Sequence, residues 1–353
     1  MRSMILRVGT VGAIWLLLHV WLGARLLGTG ALTGAPLVAG WAGVVLLALA
    51  PFGSFFTRRY ERVGFTALGF SSILIVLVLV SAVLQIGAWG LEAGTVSLSL
   101  VGSATLLTLA GSWHARRPGV VRVDVPIAHL PADLERLRIV QLSDLHVGPT
   151  LKRDFVEAVV DTTNGLSPDV VVLTGDLADG LPHALRNDVA PLARLVAPLG
   201  KFFVTGNHEY YWDAAGWLRE VGQLGFESLG NAHRLLRRGS GRVLLAGVTD
   251  RAPDPFASVH NAPESDVRVL LAHQPKSAFA ARAAGFDLQI SGHTHGGQYF
   301  PFNLLVRLFQ PFVAGLHRLE EMWLYVSRGT GYWGPPLRLG APSEITVIEL
   351  VRA

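Results

Sequence analysis

The chain has 353 residues, half of them hydrophobic and only 16% charged, with no cysteine. Soluble domains carry roughly a quarter charged residues, so part of this chain is built for surroundings other than water. Without cysteine there are no disulfides and no thiolate metal sites, which leaves oxygen and imidazole as the available ligands. Charge is unevenly spread: eight Lys/Arg and two Asp/Glu fall up to Pro118, so the pI of ≈ 9.7 comes from the first third. The rest is near neutral and offers no basic stripe, so nucleic acid is not an expected partner.

Residues 8–27, 37–56, 67–89 and 95–113 are each long and apolar enough to cross a hydrocarbon layer of about 30 Å. Four such segments, nearly free of charge, leave no polar outer face for a bundle in water. Trp15, Trp21, Trp41, Trp89 and Trp113 fall mostly near segment ends, as interfacial anchors do. Arg2, Arg7, Arg58, Arg59, Arg62, Arg116 and Arg117 flank one side, and the other connections hold only Arg25. The positive-inside rule then places both termini and the large C-terminal part in the cytoplasm. The first segment lacks a convincing cleavage site and reads as an uncleaved anchor.

Residues 119–136 read as a linker or a first strand, punctuated by Pro126 and Pro131. From Leu137 onward, short Val/Ile/Leu runs alternate with helical stretches at 152–164, 185–196 and 214–224. That texture predicts an α/β domain of sheets covered by helices. The later runs, 242–247, 267–271, 286–290, 323–327 and 345–350, are more closely spaced and predict two packed, partly antiparallel sheets. The chain thus divides into a membrane region at 1–118, a connection at 119–136 and a folded domain at 137–353.

Five of the apolar runs end in groups that suit a metal. Residues 138–142 lead to Asp144 and His146, 170–173 to Gly175-Asp176, and 201–204 to Gly206-Asn207-His208-Glu209. Residues 267–271 lead to His273, and 286–290 to Ser-Gly-His-Thr-His, with His293 and His295 expected to address two different ions. In open α/β sheets, ligands gather outside the carboxyl ends of the strands. Singly, each residue has an ordinary explanation: Asp144 as a helix cap, Asp176 in a Gly-Asp turn, His273 as a core histidine. Coincidence at five strand ends is what carries the signal. Mixed imidazole and carboxylate ligands suit Zn, Mn, Fe or Co better than Ca or Mg.

The series Asp-x-His, Gly-Asp, Gly-Asn-His-Glu, Ala-His-x-Pro and Gly-His-Thr-His resembles the calcineurin-like metallophosphoesterases in order and approximate spacing, from about Leu137 to the end. Gly-His-Thr-His-Gly-Gly-Gln, Val326-Ser327-Arg328-Gly329 and Pro342-Ser343-Glu344-Ile345 resemble the membrane-associated bacterial branch. The resemblance implies a four-layer α/β/β/α sandwich, here preceded by an all-α transmembrane region of about four helices. It implies one divalent ion held by Asp144, His146, Asp176 and His295. A second would be held by Asp176, Asn207, His273 and His293, with Asp176 bridging. It also implies hydrolysis of a phosphoester or pyrophosphate by water acidified between cations roughly 3.5–4 Å apart. His208 is left to stabilise the transition state or protonate the leaving oxygen. Glu209 either orients that imidazole or is a plain surface carboxylate. The expected location is multi-pass in a bacterial inner membrane, with the lipid bilayer as partner.

Residues 299–316 are unusually apolar, with Arg307 as the only charge. They are either core or a rim beside the metals, with Phe309 and Phe312 as possible lipid contacts. A tether to the membrane favours lipids through effective concentration. Membrane-associated relatives include enzymes that cleave the pyrophosphate of a UDP-linked diacylated glucosamine. The expected substrate is therefore a phosphorylated or lipid-linked molecule, with UDP-2,3-diacylglucosamine as leading candidate. The competing readings are a membrane sensor that binds a phosphorylated ligand without turnover, and a phosphodiesterase acting on soluble nucleotides.

Overall fold

The central strands bury both of their faces, and that property sets the layering of the C-terminal part. In β3 (Val170–Thr174), Val170 and Val172 face one apolar cluster while Val171 and Leu173 face another. Period-two alternation within an unbroken apolar run means cover on both sides. The computed structural model describes residues 2–53, 60–84 and 92–353. It forms two compact units, Met1–Trp113 with Gly334–Leu337 and His114–Trp333 with Arg338–Ala353.

The first unit is built on α1 (Arg2–Leu27), α2 (Gly34–Gly53), α3 (Glu61–Val83) and α4 (Ala93–Ala115). All four helices are long and apolar enough to cross a membrane. Many of their apolar side chains, such as Val11, Leu17, Leu46 and Leu98, are exposed in the chain alone. Polar groups between the helices are instead paired. His19 Nδ1 donates to Trp15 O at 3.0 Å, and its Nε2 lies 3.1 Å from Ser71 Oγ of α3. Trp15 Nε1 donates to Ala48 O of α2 at 3.0 Å. Hydrocarbon offers no water to such groups, so partners must come from neighbouring helices. Trp15 thus ties two of the helices together. Arg58, Arg59 and Trp89 lie outside the described residues.

The second unit holds two six-stranded sheets. The first contains β1 (Gly119–Ile127), β2 (Arg138–Leu142), β3, β4 (Lys201–Val204), β5 (Glu227–Ser228) and β12 (Glu344–Arg352), in the order β1-β12-β2-β3-β4-β5. β2 to β5 run parallel, and β12 is antiparallel to β2 and parallel to β1. The second contains β6 (Ala232–Arg238), β7 (Gly241–Gly247), β8 (Val267–Leu271), β9 (Leu288–Ser291), β10 (Gly315–Leu319) and β11 (Met322–Val326), in the order β10-β11-β9-β8-β7-β6. Between the sheets, Ile139, Val170 and Val172 join Val243, Leu245, Val269 and Leu271 in one cluster. Helices α5 (Arg153–Gly165), α6 (Pro182–Val189) and α7 (Ala214–Gln223) cover the outside of the first sheet through Val156, Val160, Leu185, Trp217 and Val221. On the second sheet, Ala278 and Ala281 of the helix Ala278–Ala283 pack on Ala246, Leu270 and Leu324. The result is a four-layer α/β/β/α sandwich.

The helix expected at 185–196 differs from the one observed. α6 ends at Val189 and gives way to a 3₁₀ turn, Ala190–Arg194, because Pro191 has no N–H for a continuing α-helix. Strands β6 and β10 were not anticipated. Each lies at a sheet edge and mixes charged with apolar residues, so neither reads as an apolar run.

Candidate metal centre

The residues after β2, β3, β4, β8 and β9 converge where the two sheets meet. Gln141 Nε2 crosses between them, donating to Thr174 Oγ1 at 2.7 Å and to Ser291 O at 2.9 Å. The chain turns sharply at each strand end. Asp144, His146, Asp176, His293 and His295 have φ of 53°, 48°, 53°, 73° and 52°. L-residues avoid this left-handed region, and each such position costs of order 1 kcal/mol, strain of a kind concentrated at functional sites. His293 and His295 therefore occupy a turn, and it is the turn that sends them to different groups. Gly206 permits a close approach: a Cβ there would collide with the Asp176 carboxylate.

Asp144, His146 and His295 form one group whose ligand atoms lie close enough to share an ion, and Asp176, His273 and His293 form another. In the first, His295 Nε2 is 3.4 Å from Asp144 Oδ1 and 3.1 Å from His146 Nε2. In the second, His273 Nε2 is 3.3 Å from Asp176 Oδ2 and 3.2 Å from both His293 Nδ1 and Asn207 Oδ1. Asp176 Oδ2 also reaches toward the first group, 3.7 Å from His146 Nε2. Two ligands on one ion with bonds of 2.0–2.2 Å stand roughly 2.8–3.6 Å apart. The observed spacings fit divalent ions held by imidazole and carboxylate, with the His146–Asp176 pair the loosest.

The flanking hydrogen bonds suit that role. His273 Nδ1 donates to Thr174 O at 2.8 Å, and His146 Nδ1 donates to Asp179 Oδ1 at 3.2 Å. Each bond aims Nε2 at the site, where its lone pair serves an ion once the ring is neutral, as ligand histidines require. Asp144 is held by Ser143 Oγ at 2.6 Å and by the His293 N–H at 3.1 Å. Buried Arg338 clamps the His295 turn through His295 O at 2.9 Å and Nδ1 at 3.0 Å, and through Gly331 O.

His208 stands at the rim, with Nε2 3.9 Å from Asp176 Oδ2 and Nδ1 donating to Asp179 Oδ1 at 2.6 Å. His146, Asp179 and His208 could also surround an ion, but a 2.6 Å separation is a charge-assisted hydrogen bond, shorter than two ligands on one ion allow. Neither sequence alternative describes Glu209. It is fully buried and accepts from the N–H groups of Gly206, Asp176 and Leu177 at 2.6, 3.0 and 2.8 Å. It ties the loop after β3 to the loop after β4. The partner of His208 is Asp179, which sequence reasoning missed; the available signal was a second carboxylate three residues after Asp176.

The charges interlock. Burial opposes ionisation of His146, but Asp179, Asp176 and Asp144 raise it to about 9. Burial likewise opposes His273, yet Asp176 and Asp144 carry it to about 10. Burial works against the Asp176 carboxylate too, but His273, His146 and His208 hold it well below the usual range. Burial and the neighbouring His273 depress His293 to about 4.

A family model for calcineurin-like phosphoesterases matches residues 137–297. Over 265 residues the chain is 40% identical to an uncharacterized metallophosphoesterase of Campylobacter jejuni, covering 72% of this chain and 69% of that protein. The chain belongs to the calcineurin-like phosphoesterase family. It is also 39% identical over 273 residues to a Danio rerio protein and 40% identical over 270 residues to one from Bos taurus. Both are named transmembrane protein with metallophosphoesterase domain, and the chain spans about three fifths of their length, 62% and 61%. A solved 5'-nucleotidase precursor from Thermus thermophilus aligns at a TM-score of 0.39 and 15% identity, over 60% of this chain and 54% of that one. That likeness is too slight to bear on function.

The histidine charges make metal uptake sensitive to pH. With His146 at about 9 and His273 at about 10, both carry protons near neutrality. Ligation displaces those protons, so affinity weakens as pH falls. Titration of Mn²⁺ into metal-stripped protein, in buffers of different ionisation enthalpy, should show net proton release and weaker binding at lower pH. Uptake independent of pH, with no proton released, would contradict this electrostatic account.

Proposed function

We propose that the chain is a membrane-anchored, metal-dependent hydrolase of phosphoester or pyrophosphate bonds. The observation that carries this reading is Asp176, whose Oδ2 lies 3.3–3.9 Å from His273, His146 and His208 at the meeting of the two ligand groups. In this reading Asp144, His146, Asp176 and His295 hold one cation. Asp176, Asn207, His273 and His293 hold the other, and 137–353 is the working domain behind the membrane region 1–118. Divalent cations there, Mn, Zn, Fe or Co by their ligands, would polarise a phosphoryl oxygen and lower the pKa of the attacking water.

The protein's own groups supply the remainder. His208 keeps its Nδ1 proton on Asp179 and turns Nε2 toward the site. The protonated imidazole donates from Nε2 to the leaving oxygen, and Asp179 offsets its charge. A sensor that only binds its ligand has no need of such a pair, which favours turnover. His208→Ala should lower kcat on esters with poor leaving groups by about 10²- to 10⁴-fold, with Mn²⁺ content unchanged, and Asp179→Asn should lower kcat likewise while also weakening Mn²⁺ binding, because Asp179 holds His146 as well. Undiminished turnover in both variants would remove His208 from the chemistry.

The substrate reading is a phosphorylated or lipid-linked molecule such as UDP-2,3-diacylglucosamine. Its support in this chain is the segment after the His295 turn, where Leu304, Leu305, Leu308 and Phe309 are 59%, 45%, 75% and 80% exposed. Phe312 is a different case. Its ring packs on Phe279 and His317, at 5.7 and 5.3 Å, and belongs to the packing beneath. A second reading, soluble nucleotides, draws on Tyr211 and Trp333, which are exposed and flank the His208 ring at 5.0 and 5.8 Å. Such faces suit stacking of a base. Leu308→Ser with Phe309→Ser should depress turnover of the diacylated substrate in mixed micelles while sparing bis(p-nitrophenyl) phosphate. A loss confined to Tyr211→Ala and Trp333→Ala with a nucleotide diester would favour the second reading.

The positive charges at 58, 59, 62, 116 and 117 support a cytoplasmic working domain. Alkaline phosphatase fused after Ala353 should stay inactive while a fluorescent protein at the same position matures. An active alkaline phosphatase fusion would put the site on the opposite face.

A further inference from the structure

One residue beyond His295 a cleft of about 480 Å³ begins, lined in part by Gly296 and Arg328 and on the other side by residues 303–317. None of the ligand residues lines it. Its walls include Arg307, Arg328 and His317 beside Asn303 and the apolar Leu304, and no carboxylate among the described residues. Arg328 is pre-positioned, since Nη1 donates to Glu344 Oε2 at 2.6 Å and Glu344 is itself buried. Glu344 therefore orients that guanidinium and offsets much of its charge. Arg307 is exposed and has no ion pair among the described residues, so it supplies the net positive charge of the cleft.

Guanidinium groups in a concave wall suit phosphate, whose oxygens match their planar donor fork. We propose that this cleft binds a second phosphate group of the substrate, one carried beyond the phosphorus attacked at the metal centre. The site selects substrates that bear two phosphates, whether the remainder is a lipid or a nucleoside. Calling the ligand a substrate rests on the hydrolytic reading above; the affinity of the cleft for phosphate does not.

The test is calorimetric titration of inorganic pyrophosphate into the full chain in detergent, stripped of metal and dialysed free of chelator. Without cations the metal centre does not draw the anion itself. Wild type should bind, and Arg307→Glu should weaken binding by about tenfold or more, as expected for loss of a charge-assisted contact. Arg307→Lys, which keeps the charge, should lie between wild type and Arg307→Glu. Because Arg307 is exposed, these variants keep the packing of the domain. Equal affinity in wild type and Arg307→Glu, or no binding by wild type, overturns the proposal. A positive titration from a wild type that hydrolyses no phosphoester with Mn²⁺ would overturn the hydrolytic reading alone.

Discussion

A buried carboxylate shared among imidazoles is the constraint on which the rest of the site depends. Asp176 is 2% exposed, and an ionised group so placed is costly unless compensated. Compensation comes from His146, His208 and His273, carried on three separate segments, and from the His208 N–H on Oδ1 at 2.9 Å. Those segments reach it only because β2, β3, β4 and β8 all end at the junction of the two sheets. Glu209 then locks the arrangement by binding three backbone N–H groups of the two loops beside Asp176. Folding energy from the apolar layers thus sustains a polar centre that would not assemble unaided.

The same centre stores backbone strain. Five of its side chains sit at positive φ, and each needs surrounding structure to hold it there. Arg338 does this for the His295 turn and Ser143 for Asp144. Such supports fix the ligand atoms before a cation arrives, so binding does not have to order them.

Much of this was legible in the sequence because the signals are local. Apolar runs of four or five residues marked the central strands, and polar clusters directly after them marked the strand ends where ligands gather. Parts set by distant packing were not legible. Asp179 acquires its role from meeting His146 and His208 across two loops, and its place three residues after Asp176 is only a faint local signal of that. Glu209 looked like a surface or orienting carboxylate because burial cannot be read from one charged residue. Arg338 lies in a Pro- and Gly-rich stretch that reads as loop, yet it is fully buried. Phe309 and Phe312 are three residues apart in one apolar run, and only the fold separates the exposed ring from the packed one.

If one carboxylate serves two cations, metal stoichiometry shows it directly. Equilibrium dialysis against Mn²⁺, read by elemental analysis, should give two ions per wild-type chain. In Asp176→Asn both should bind more weakly, because the shared oxygen loses its charge. Two ions retained by Asp176→Asn at undiminished affinity, or a single ion in the wild type, would contradict the account.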